Sequence, residues 1–473
     1  MDIAIFGIGQ VYAAYKRYLK NFHIKYAVDN DEYKHGQCID NAKIIFPYEI
    51  DCSRIKFIVI MTVHYKTVKK QLLNLHIPEE KIVSYTQLGD LLGYTLTVNA
   101  GESQIELKKW VNVKNGKSVM LIAPNFAYAG VPVAMLNMAQ ALKNMGYHVL
   151  LAGMTEGGGL IKEIKEAQIA NVCGIDIFYG GEQFLSIVAK FDLVIISSTI
   201  LSDLVLEISQ QTVPVLWWIH ESDSMYYKPQ YDIALNRNIH LYACSNRVVN
   251  VLQKYIYKWS GNGTGETETA KLYYCIPDRA EGVKKNVPAT KIVFAVIGVM
   301  CHRKAQDILA QAISLLPAKY RDQFELLVIG NTIAVDEDYW KPVEKKFLQM
   351  KEVTITGELS QDEIRKQYEI LDVLICPSRD DPMPVVVTEA MMYSKACIVS
   401  ENVGQAEFIR EQENGFVFPN ENADELSERI IWVMENREKL PEIGQAARQI
   451  YEHNFTEEAL QKRMAEIIGD LCS

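Results

Sequence analysis

The stretch DVLICPSRDDPMPVVVTEAMM, residues 372–392, joins a short apolar run to a helix-like segment through two adjacent acids and two prolines. The run VLIC is typical of a buried parallel strand, and VVVTEAMM is typical of the helix that follows such a strand. A helix that begins at a strand's carboxyl end has free N–H groups and a partial positive charge. The sequence therefore predicts an anion site here, with backbone donors at Met383, Val385 and Val386.

Two carboxylates of this stretch, Asp381 and Glu389, lie eight residues apart and span the turn and the start of the helix. Acidic side chains at a helix start favour the helix dipole, so the spacing alone is compatible with N-terminal capping. The same spacing also allows both carboxylates to face one ligand. Both interpretations remain open at this point.

The alternation of apolar runs with helix-like segments extends through the whole chain, from DIAIFG through SVMLIAP and FDLVIISS to KIVFAVIG and FELLVIGN. This pattern predicts an α/β protein with parallel sheets in which two large Rossmann-like domains face each other across a ligand cleft. The predicted segments are a small Rossmann-like domain at 1–95, a polar linker at 96–117, large domains at 118–285 and 286–440, and a helical segment at 441–473.

Composition excludes several classes of function. The 473 residues carry a formal net charge of −10, so there is no overall basic field that would recruit nucleic acid. The nine cysteines are scattered and form no CxxC pair, which predicts buried, reduced thiols rather than disulfides or a zinc site. No run approaches the ~18 apolar residues that span a bilayer. We therefore expect a cytoplasmic protein.

From about residue 118 onward, the chain resembles the retaining glycosyltransferases of family 4, which have the GT-B fold of two facing Rossmann-like domains. The stretch 372–392 carries the resemblance together with HRKAQDILAQAI, IVSENVGQAEFI and ENGFVFP in the third domain. The second domain adds APNFAYAGVPVAMLNMAQALKNMGYHV and WWIHES. These motifs follow the family's order and cover about three quarters of the chain.

The resemblance implies roles for the two acids and for a lysine. Glu389 matches the acid that hydrogen-bonds the nucleotide's ribose, and Asp381 matches the acid that faces the donor sugar. Aspartate stands at position 381 where the family usually has glutamate, which leaves the donor sugar open. Lys304 matches the lysine that binds the donor diphosphate.

Further positions are carried over in the same way. The family's arginine after the first-strand glycine is missing, since Val299 follows Gly298, and Arg303 is the candidate replacement. Three other matches complete the implied site: the glycine of a loop near the donor, a histidine facing the cleft, and an acid of the donor-binding domain, which are Gly130, His220 and Glu407. Asp381 and His220 are the implied catalytic residues, and the other positions are implied to bind the donor.

The implied activity is transfer of a sugar from a nucleotide-diphosphate sugar to a saccharide or lipid-linked acceptor in cell-surface polysaccharide assembly. The family implies no metal and no cofactor, and a location in the cytoplasm or at the inner face of the membrane. Two alternatives remain. The departures at Asp381 and Val299 allow a non-catalytic scaffold that binds a sugar nucleotide. An NAD-dependent oxidoreductase or epimerase built on the first domain ranks lower.

The first domain carries GIGQVY, in which Gly7 and Gly9 fit a Rossmann turn and Asp29 follows at the spacing of a ribose-binding acid. Tyr12 occupies the place where a third glycine or alanine would allow close helix packing, so the nucleotide-binding pattern is incomplete. The segment resembles the small Rossmann-like domains at the start of bacterial surface-polysaccharide enzymes. An accessory or homo-oligomerising role is favoured, and binding of a nucleotide or a sugar nucleotide remains open.

The stretch RVVNVLQKYIYKWSG, residues 247–261, mixes basic and aromatic side chains on an amphipathic pattern. Such a helix suits contact with a membrane surface, but a helix that packs against a protein core would use the same aromatics. Core packing is favoured, and peripheral membrane contact remains an alternative.

Overall fold

The computed structural model describes residues 1–112, 117–227, 238–259, 269–280 and 290–472. The chain is α/β and divides into two compact units. Unit 1 comprises Met1–Val113, Ala152–Glu156 and Asn171–Phe191, and unit 2 comprises Lys114–Leu151, Gly157–Ala170 and Asp192–Ser473.

Residues 1–112 form short strands and helices. The strands are β1 (Asp2–Phe6), β2 (His23–Val28), β3 (Cys38–Ile39), β4 (Ala42–Ile45), β5 (Ile58–Ile60), β6 (Ile82–Ser84), β7 (Thr97–Ala100) and β8 (Ser103–Glu106). The α-helices are α1 (Gln10–Tyr15), α2 (Tyr65–Asn74), α3 (Leu88–Leu91) and α4 (Leu107–Asn112).

Residues 117–280 continue the alternation. The strands are β9 (Ser118–Ala123), β10 (His148–Gly153), β11 (Ala170–Cys173), β12 (Leu193–Ser197), β13 (Val215–Ile219), β14 (Ile239–Ala243) and β15 (Ala270–Lys271). The α-helices are α5 (Gly130–Asn144), α6 (Ile161–Glu166), α7 (Glu182–Val188), α8 (Ser202–Ile208) and α9 (Asn246–Trp259).

Residues 290–472 begin with a second Rossmann-like pattern and end in helices. The strands are β16 (Ile292–Ile297), β17 (Phe324–Ile329), β18 (Val353–Gly357), β19 (Val373–Cys376), β20 (Ala396–Ser400) and β21 (Phe416–Phe418). The α-helices are α10 (Gln306–Leu315), α11 (Glu337–Phe347), α12 (Gln361–Ile370), α13 (Val385–Met392), α14 (Ala423–Glu435), α15 (Leu440–Asn454) and α16 (Glu457–Leu471).

Unit 1 is built on a six-stranded sheet with the order β3-β4-β2-β1-β5-β6. The pairs are parallel except for the antiparallel β3–β4 pair. Residues 97–112, within the segment predicted as a linker, form the antiparallel hairpin β7–β8 and the helix α4. Leu107, Trp110 and Val111 of this segment are buried. These apolar side chains explain why a stretch that reads as polar is nevertheless packed.

Unit 2 contains two Rossmann-like halves, which we call the first half (residues 117–151, 157–170 and 192–280) and the donor half (residues 290–440). In the first half the strand order is β15-β14-β13-β12-β9-β10, and in the donor half it is β18-β17-β16-β19-β20-β21. The described pairs of the donor half are all parallel. Strands β9 and β19 are buried along their whole length, as expected where helices cover both faces of a sheet.

The C-terminal helices connect the two halves of unit 2. On α16, Gln461 Nε2 donates to the carbonyl of Ala141 on α5 at 3.3 Å, and Glu457 accepts from Asn144 at 2.6 Å. On α15, the hydroxyl of Tyr451 donates to the carbonyl of Ile276 at 3.0 Å. The segment 441–473 therefore packs against the first half, although it follows the donor half in sequence.

Helix α9 is packed on its apolar face, where Val248 and Leu252 are fully buried. The aromatic side chains from Tyr255 to Trp259 lie outside the described residues, so the membrane interpretation of this helix stays a prediction. Across the described parts of the chain, no helix combines the length and the apolar content that crossing a bilayer would need. The cysteines are free thiols, of which Cys244, Cys275, Cys376 and Cys397 are buried and Cys38 is exposed.

Candidate functional site

Several of the predicted donor-binding residues lie at the carboxyl ends of β16 and β19, which are neighbours in the sheet. Gly298 follows β16 with a φ of +147°, and its N–H donates to the carbonyl of Ile329 at 2.9 Å. The neighbouring strand end carries Gly330, where a Cβ would lie 1.9 Å from the carbonyl oxygen of Gly298. Glycine is required at this edge because the two backbones approach so closely.

Two bases converge on one acid at this edge. Lys304 Nζ donates to Asp381 Oδ2, and Arg303 Nη1 lies 3.4 Å from Asp381 Oδ1. Arg303 Nη1 also donates to the carbonyl of Asp380 at 2.9 Å, and Asp381 itself is only 6% exposed. Two cations against one carboxylate leave an excess of positive charge, which suits a diphosphate.

Arg379 and Asp307, which the sequence analysis did not identify, anchor the backbone just before Lys304. The Arg379 guanidinium donates to both carboxylate oxygens of Asp307 at 2.9 and 2.7 Å and to the carbonyl of His302 at 2.7 Å. Its backbone N–H donates to the carbonyl of Arg303 at 2.9 Å. The bidentate contact with Asp307 raises the pKa of Arg379 above its ordinary value. This fork ties the loop after β16 to the loop after β19.

The helix α13 begins where the anion site was predicted. Pro384 is its N-cap residue and makes no side-chain capping bond, so Asp381 does not cap this helix. Val385 and Val386 lie in its first turn, where N–H groups have no partner within the helix, and Met383 precedes the N-cap. The helix start therefore keeps donors for an anion beside Lys304.

Glu389 lies one turn into α13, where its Oε2 accepts from the hydroxyl of Tyr368 at 2.8 Å. The Tyr368 ring is in turn stacked on Tyr393, with ring centroids 5.4 Å apart. Burial raises the pKa of Glu389, against the opposing effects of the Tyr368 bond and the positive charges of Arg279 and Arg365. The tyrosine thus fixes one carboxylate oxygen of Glu389.

The first half contributes Gly130 and His220. Gly130 is the first residue of α5, and apart from its chain neighbours and the backbone of its own helix, no described atom lies within 4 Å of the place where a Cβ would stand. His220 follows β13; its Nε2 is buried and has no hydrogen-bond partner among the described residues. Burial lowers the pKa of His220 to about 3, so its imidazole is neutral at physiological pH. A neutral ring with a free nitrogen can exchange a hydrogen bond with a hydroxyl group.

Glu407 lies on the short helical turn after β20, at the boundary between the two halves. Its carboxylate accepts from the backbone N–H of Asn246 at 2.7 Å, from Lys271 Nζ at 3.2 Å and from the hydroxyl of Tyr273 at 2.5 Å. All three donors belong to the first half, so these bonds connect the halves. A role of Glu407 in donor binding stays a prediction.

A cleft of about 890 Å³ opens between the halves beside this boundary. Its polar lining includes Asp223, Asn250 and Lys254 from the first half and Glu401 from the donor half. Within the described residues, no group of three or more His, Cys, Asp or Glu side chains is arranged to hold a metal ion.

The accessory site predicted in unit 1 has its own geometry. Gly7 has a φ of +97°, and Gly9 precedes α1 as its N-cap. Asp29 Oδ2 accepts from the N–H of Ile8 at 2.8 Å and from Lys34 Nζ at 2.9 Å, and its Oδ1 accepts from the N–H of Asp31 at 3.0 Å. A ribose hydroxyl would have to compete with these donors, and nucleotide binding here stays a prediction.

Comparison with known proteins bears on three segments of the chain. Residues 115–264 match the family described as Glycosyl-transferase family 4, and residues 278–450 match Glycosyl transferases group 1. Together these two matches cover about two thirds of the chain. Residues 1–83 match the domain described as C2185-like, N-terminal.

Curated relatives are similar over shorter segments. Spore coat protein SA of Bacillus subtilis is 26% identical over 170 residues, which are 35% of this chain and 45% of that protein. Sulfoquinovosyl transferase SQD2 of Arabidopsis thaliana is 30% identical over 117 residues, which are 24% of this chain and 23% of that protein. The chain thus spans less than half the length of each of these relatives.

Solved structures agree over a larger part of the chain. HepE of Anabaena, solved in complex with UDP and glucose, matches 75% of this chain and 100% of its own with a TM-score of 0.61 and 16% identity. A glycosyltransferase of Rickettsia africae matches 76% of this chain and 99% of its own with a TM-score of 0.63 and 18% identity. The fold is GT-B, and the chain carries one segment that matches Glycosyl-transferase family 4 and a second that matches Glycosyl transferases group 1.

Proposed function

We propose that this chain is a retaining, metal-independent glycosyltransferase that uses a nucleoside-diphosphate sugar as its donor. The observation that supports this proposal most is the convergence of Lys304, Arg303 and the start of α13 around Asp381. A departing nucleoside diphosphate carries negative charge that grows in the transition state. In the proposed mechanism, the two bases and the helix start stabilise that charge, and no metal ion is required.

In this mechanism the donor sugar lies between α13 and the first half. Glu389 holds the ribose, Lys304 and Arg303 bind the diphosphate, and Asp381 faces the sugar, where positive charge develops at the anomeric carbon. His220 and the loop before Gly130 contact the sugar from the first half. The acceptor hydroxyl attacks from the face that the diphosphate leaves, and the leaving phosphate takes its proton, so the anomeric configuration is retained. This route requires no side-chain nucleophile.

UDP sugars are the donors to test first, because the Anabaena relative has been solved with UDP and with UDP-glucose. For the acceptor, we propose a saccharide or lipid-linked saccharide of a cell-surface polysaccharide. The enzyme would then work in the cytoplasm at the inner face of the membrane, where peripheral contact would bring it to a lipid-linked acceptor. Residues 1–95 would serve an accessory or oligomerising role.

Donor turnover tests the proposed activity directly. The purified chain is incubated with UDP-glucose or UDP-galactose, with and without EDTA, and release of UDP is measured. We expect slow release of UDP without an acceptor, at the same rate in EDTA. UDP binding without any UDP release from either sugar would instead favour the scaffold alternative. Loss of turnover in EDTA that Mg²⁺ restores would contradict the metal-independent mechanism.

A further inference from the structure

The adjacent acids Asp380 and Asp381 point to different partners. Asp381 contacts Lys304 and Arg303 within the donor half. The carboxylate of Asp380 instead accepts hydrogen bonds from the first half: Ser222 Oγ lies 2.8 and 2.7 Å from its two oxygens. Two residues joined by one peptide bond therefore contact different parts of unit 2: Asp381 contacts the bases of the donor half, and Asp380 contacts the first half.

Arg247 provides the second and stronger part of this connection. Its Nε donates to Asp380 Oδ1 at 2.5 Å, and its Nη1 donates to Asn402 Oδ1 at 2.8 Å. The Arg247 and Asp380 side chains are 29% and 20% exposed, so the ion pair is partly shielded from solvent. A partly buried guanidinium with two fixed acceptors is held more firmly than an exposed pair.

The two acceptors of Arg247 flank Asp381. Asp380 precedes it in sequence, and Asn402 holds it through the backbone, because the N–H of Asp381 donates to the carbonyl of Asn402 at 3.2 Å. Asn402 Nδ2 also donates to the carbonyl of Arg379 at 2.8 Å. Asp381 and Val403 form a parallel β-bridge beside these bonds. Arg247 therefore contacts both Asp380, which precedes Asp381, and Asn402, which accepts the backbone hydrogen bond of Asp381.

We propose that Arg247 is a positioning residue that couples the first half of the cleft to Asp381. This inference rests on the proposed transferase function. When the halves are together, Arg247 fixes Asp380 and Asn402, and Asp381 is held at the geometry that sugar transfer needs. When the halves separate, Arg247 withdraws and the loop that carries Asp381 loosens. The enzyme then cleaves its donor only when the first half is in place.

Arginine is required for this role because its planar fork reaches two acceptors at once. A lysine keeps the charge but offers a single nitrogen, so it can satisfy Asp380 or Asn402 but does not bridge them. Arg247→Lys therefore separates the effect of bridging from the effect of charge. Lys271→Met is the matched comparison, since it removes an ion pair between the halves, to Glu407, without touching Asp380 or Asn402.

The test combines kinetics with hydrogen exchange. For Arg247→Ala and Arg247→Lys we expect UDP affinity within about threefold of wild type, while kcat for UDP-sugar turnover falls about 100-fold, the typical effect of a small misplacement. Amides of residues 379–383 should exchange faster in both variants without any ligand. Lys271→Met should change this exchange much less, and Arg463→Ala, in an exposed pair with Glu466, should not change it.

The proposal is overturned if both Arg247 variants exchange amides 379–383 like wild type, or if Arg247→Lys restores full kcat. An equal loss of UDP affinity and kcat would also overturn it, because that pattern belongs to a donor-binding residue. If the wild-type chain turns over no nucleotide sugar, the transferase proposal fails, but the exchange measurement still decides whether Arg247 holds the loop.

Discussion

Asp381 and Lys304 form an ion pair at the position where a diphosphate is expected. The Asp381 carboxylate and the diphosphate would therefore compete for Lys304. The pair keeps the buried carboxylate compensated before the donor arrives, which avoids the cost of an unpaired charge. A bound diphosphate can take over Lys304 and leave Asp381 to the sugar. At the scale of single residues, we therefore expect an exchange of partners at Lys304 when the donor binds.

Asp381→Asn tests this exchange. Asparagine keeps the volume of the side chain but removes the charge, so Lys304 is released for the diphosphate. We expect UDP affinity to stay equal or increase, while kcat for UDP-sugar turnover falls because the charge proposed to face the anomeric carbon is lost. Isothermal titration with UDP and initial-rate kinetics measure the two effects separately.

Asp322→Asn is the control for this substitution, because Asp322 precedes β17 and pairs with Lys351 on the exposed surface. Its kinetics should match those of the wild type. Normal turnover by Asp381→Asn, with the fold intact, would remove Asp381 from the catalytic residues.

We expect Glu389 to make the affinity for UDP dependent on pH. Burial raises the pKa of Glu389 in the folded protein above the unfolded value of 4.5. As pH rises from about 4.5 through the raised pKa, the unfolded chain ionises more readily than the folded protein, which lowers the free energy of unfolding. Stability attributable to Glu389 is therefore highest at low pH and is lost across this window. The ionised form is the one that accepts strong bonds from ribose hydroxyls.

The expected result is that wild-type UDP affinity rises as pH increases through this window, whereas Glu389→Gln shows no such rise. At neutral pH the variant should bind UDP more weakly by about 1 kcal/mol, the difference between a charge-assisted and a neutral hydrogen bond. Its unfolding free energy relative to wild type should increase with pH over the same range. Parallel pH profiles of the two proteins would exclude the ribose contact.

The residues that the sequence could predict are those whose motif is local. Lys304, Asp381 and Glu389 each lie within a short run beside a strand end or a helix start. Arg247 could not be found in this way, because its partner Asp380, which lies within the stretch 372–392, is 133 residues away along the chain. Asn402 and Arg379 act through bonds to backbone carbonyls, which accept from many side chains and leave no pattern in the sequence.

At the scale of elements, the loop between β19 and α13 is shaped by the segment that follows β20. Gly404 N–H donates to the carbonyl of Asp381 at 2.9 Å, and the buried Gln405 side chain donates to the carbonyl of Pro384 at 2.8 Å. A strand, a loop and a helix were predictable from alternation and from the two prolines. The bonds from Gly404 and Gln405 to this loop could not be predicted, because the pattern of parallel strands does not indicate which loops contact each other.

Gly404→Ala tests the support that this segment gives. A Cβ at Gly404 would lie 1.8 Å from the carbonyl oxygen of Pro382, and backbone atoms there cannot move without shifting the start of α13. We expect a loss of about 1–3 kcal/mol of unfolding free energy, as for other overpacked sites. UDP binding should weaken with it, because the helix start carries donors for the phosphate. Urea unfolding and UDP titration measure both effects.

Gly469→Ala is the matched control with the opposite sign. Gly469 lies within α16, and outside the backbone of its own helix no atom of the described chain lies within 4 Å of the place where a Cβ would stand. Alanine there should raise the unfolding free energy by about 0.5–1 kcal/mol, because glycine is a poor helix former. If both substitutions behaved alike, close packing between Gly404 and Pro382 would not be the cause.

At the scale of the whole molecule, the boundaries of the compact units differ from the segments that alternation predicts. The pattern predicts one domain before a linker, yet residues 152–156 and 171–191 belong to the same compact unit as the N-terminal residues. Alternation reports which elements exist along the chain, but not which side chains from distant elements share a core. Here the buried Phe178 packs so closely on Gly89 that a Cβ at Gly89 would lie 2.2 Å from its ring.

Two truncations test this division. Removing residues 1–84 deletes the six-stranded sheet but keeps Gly89 and Asp90, which accepts from the N–H of Gln183 at 3.0 Å. Removing residues 1–110 also deletes these partners and the hairpin β7–β8, so Phe178 loses the residues that cover it.

We expect the longer truncation to melt at a lower temperature and to expose apolar surface, because burying such a side chain contributes about 1.5–3 kcal/mol. Because the predicted donor residues all lie in unit 2, UDP should still bind to the shorter truncation. Equal melting temperatures for the two truncations would show that residues 171–191 do not depend on residues 85–110, and the chain would then divide at 96–117, as the sequence alone predicts.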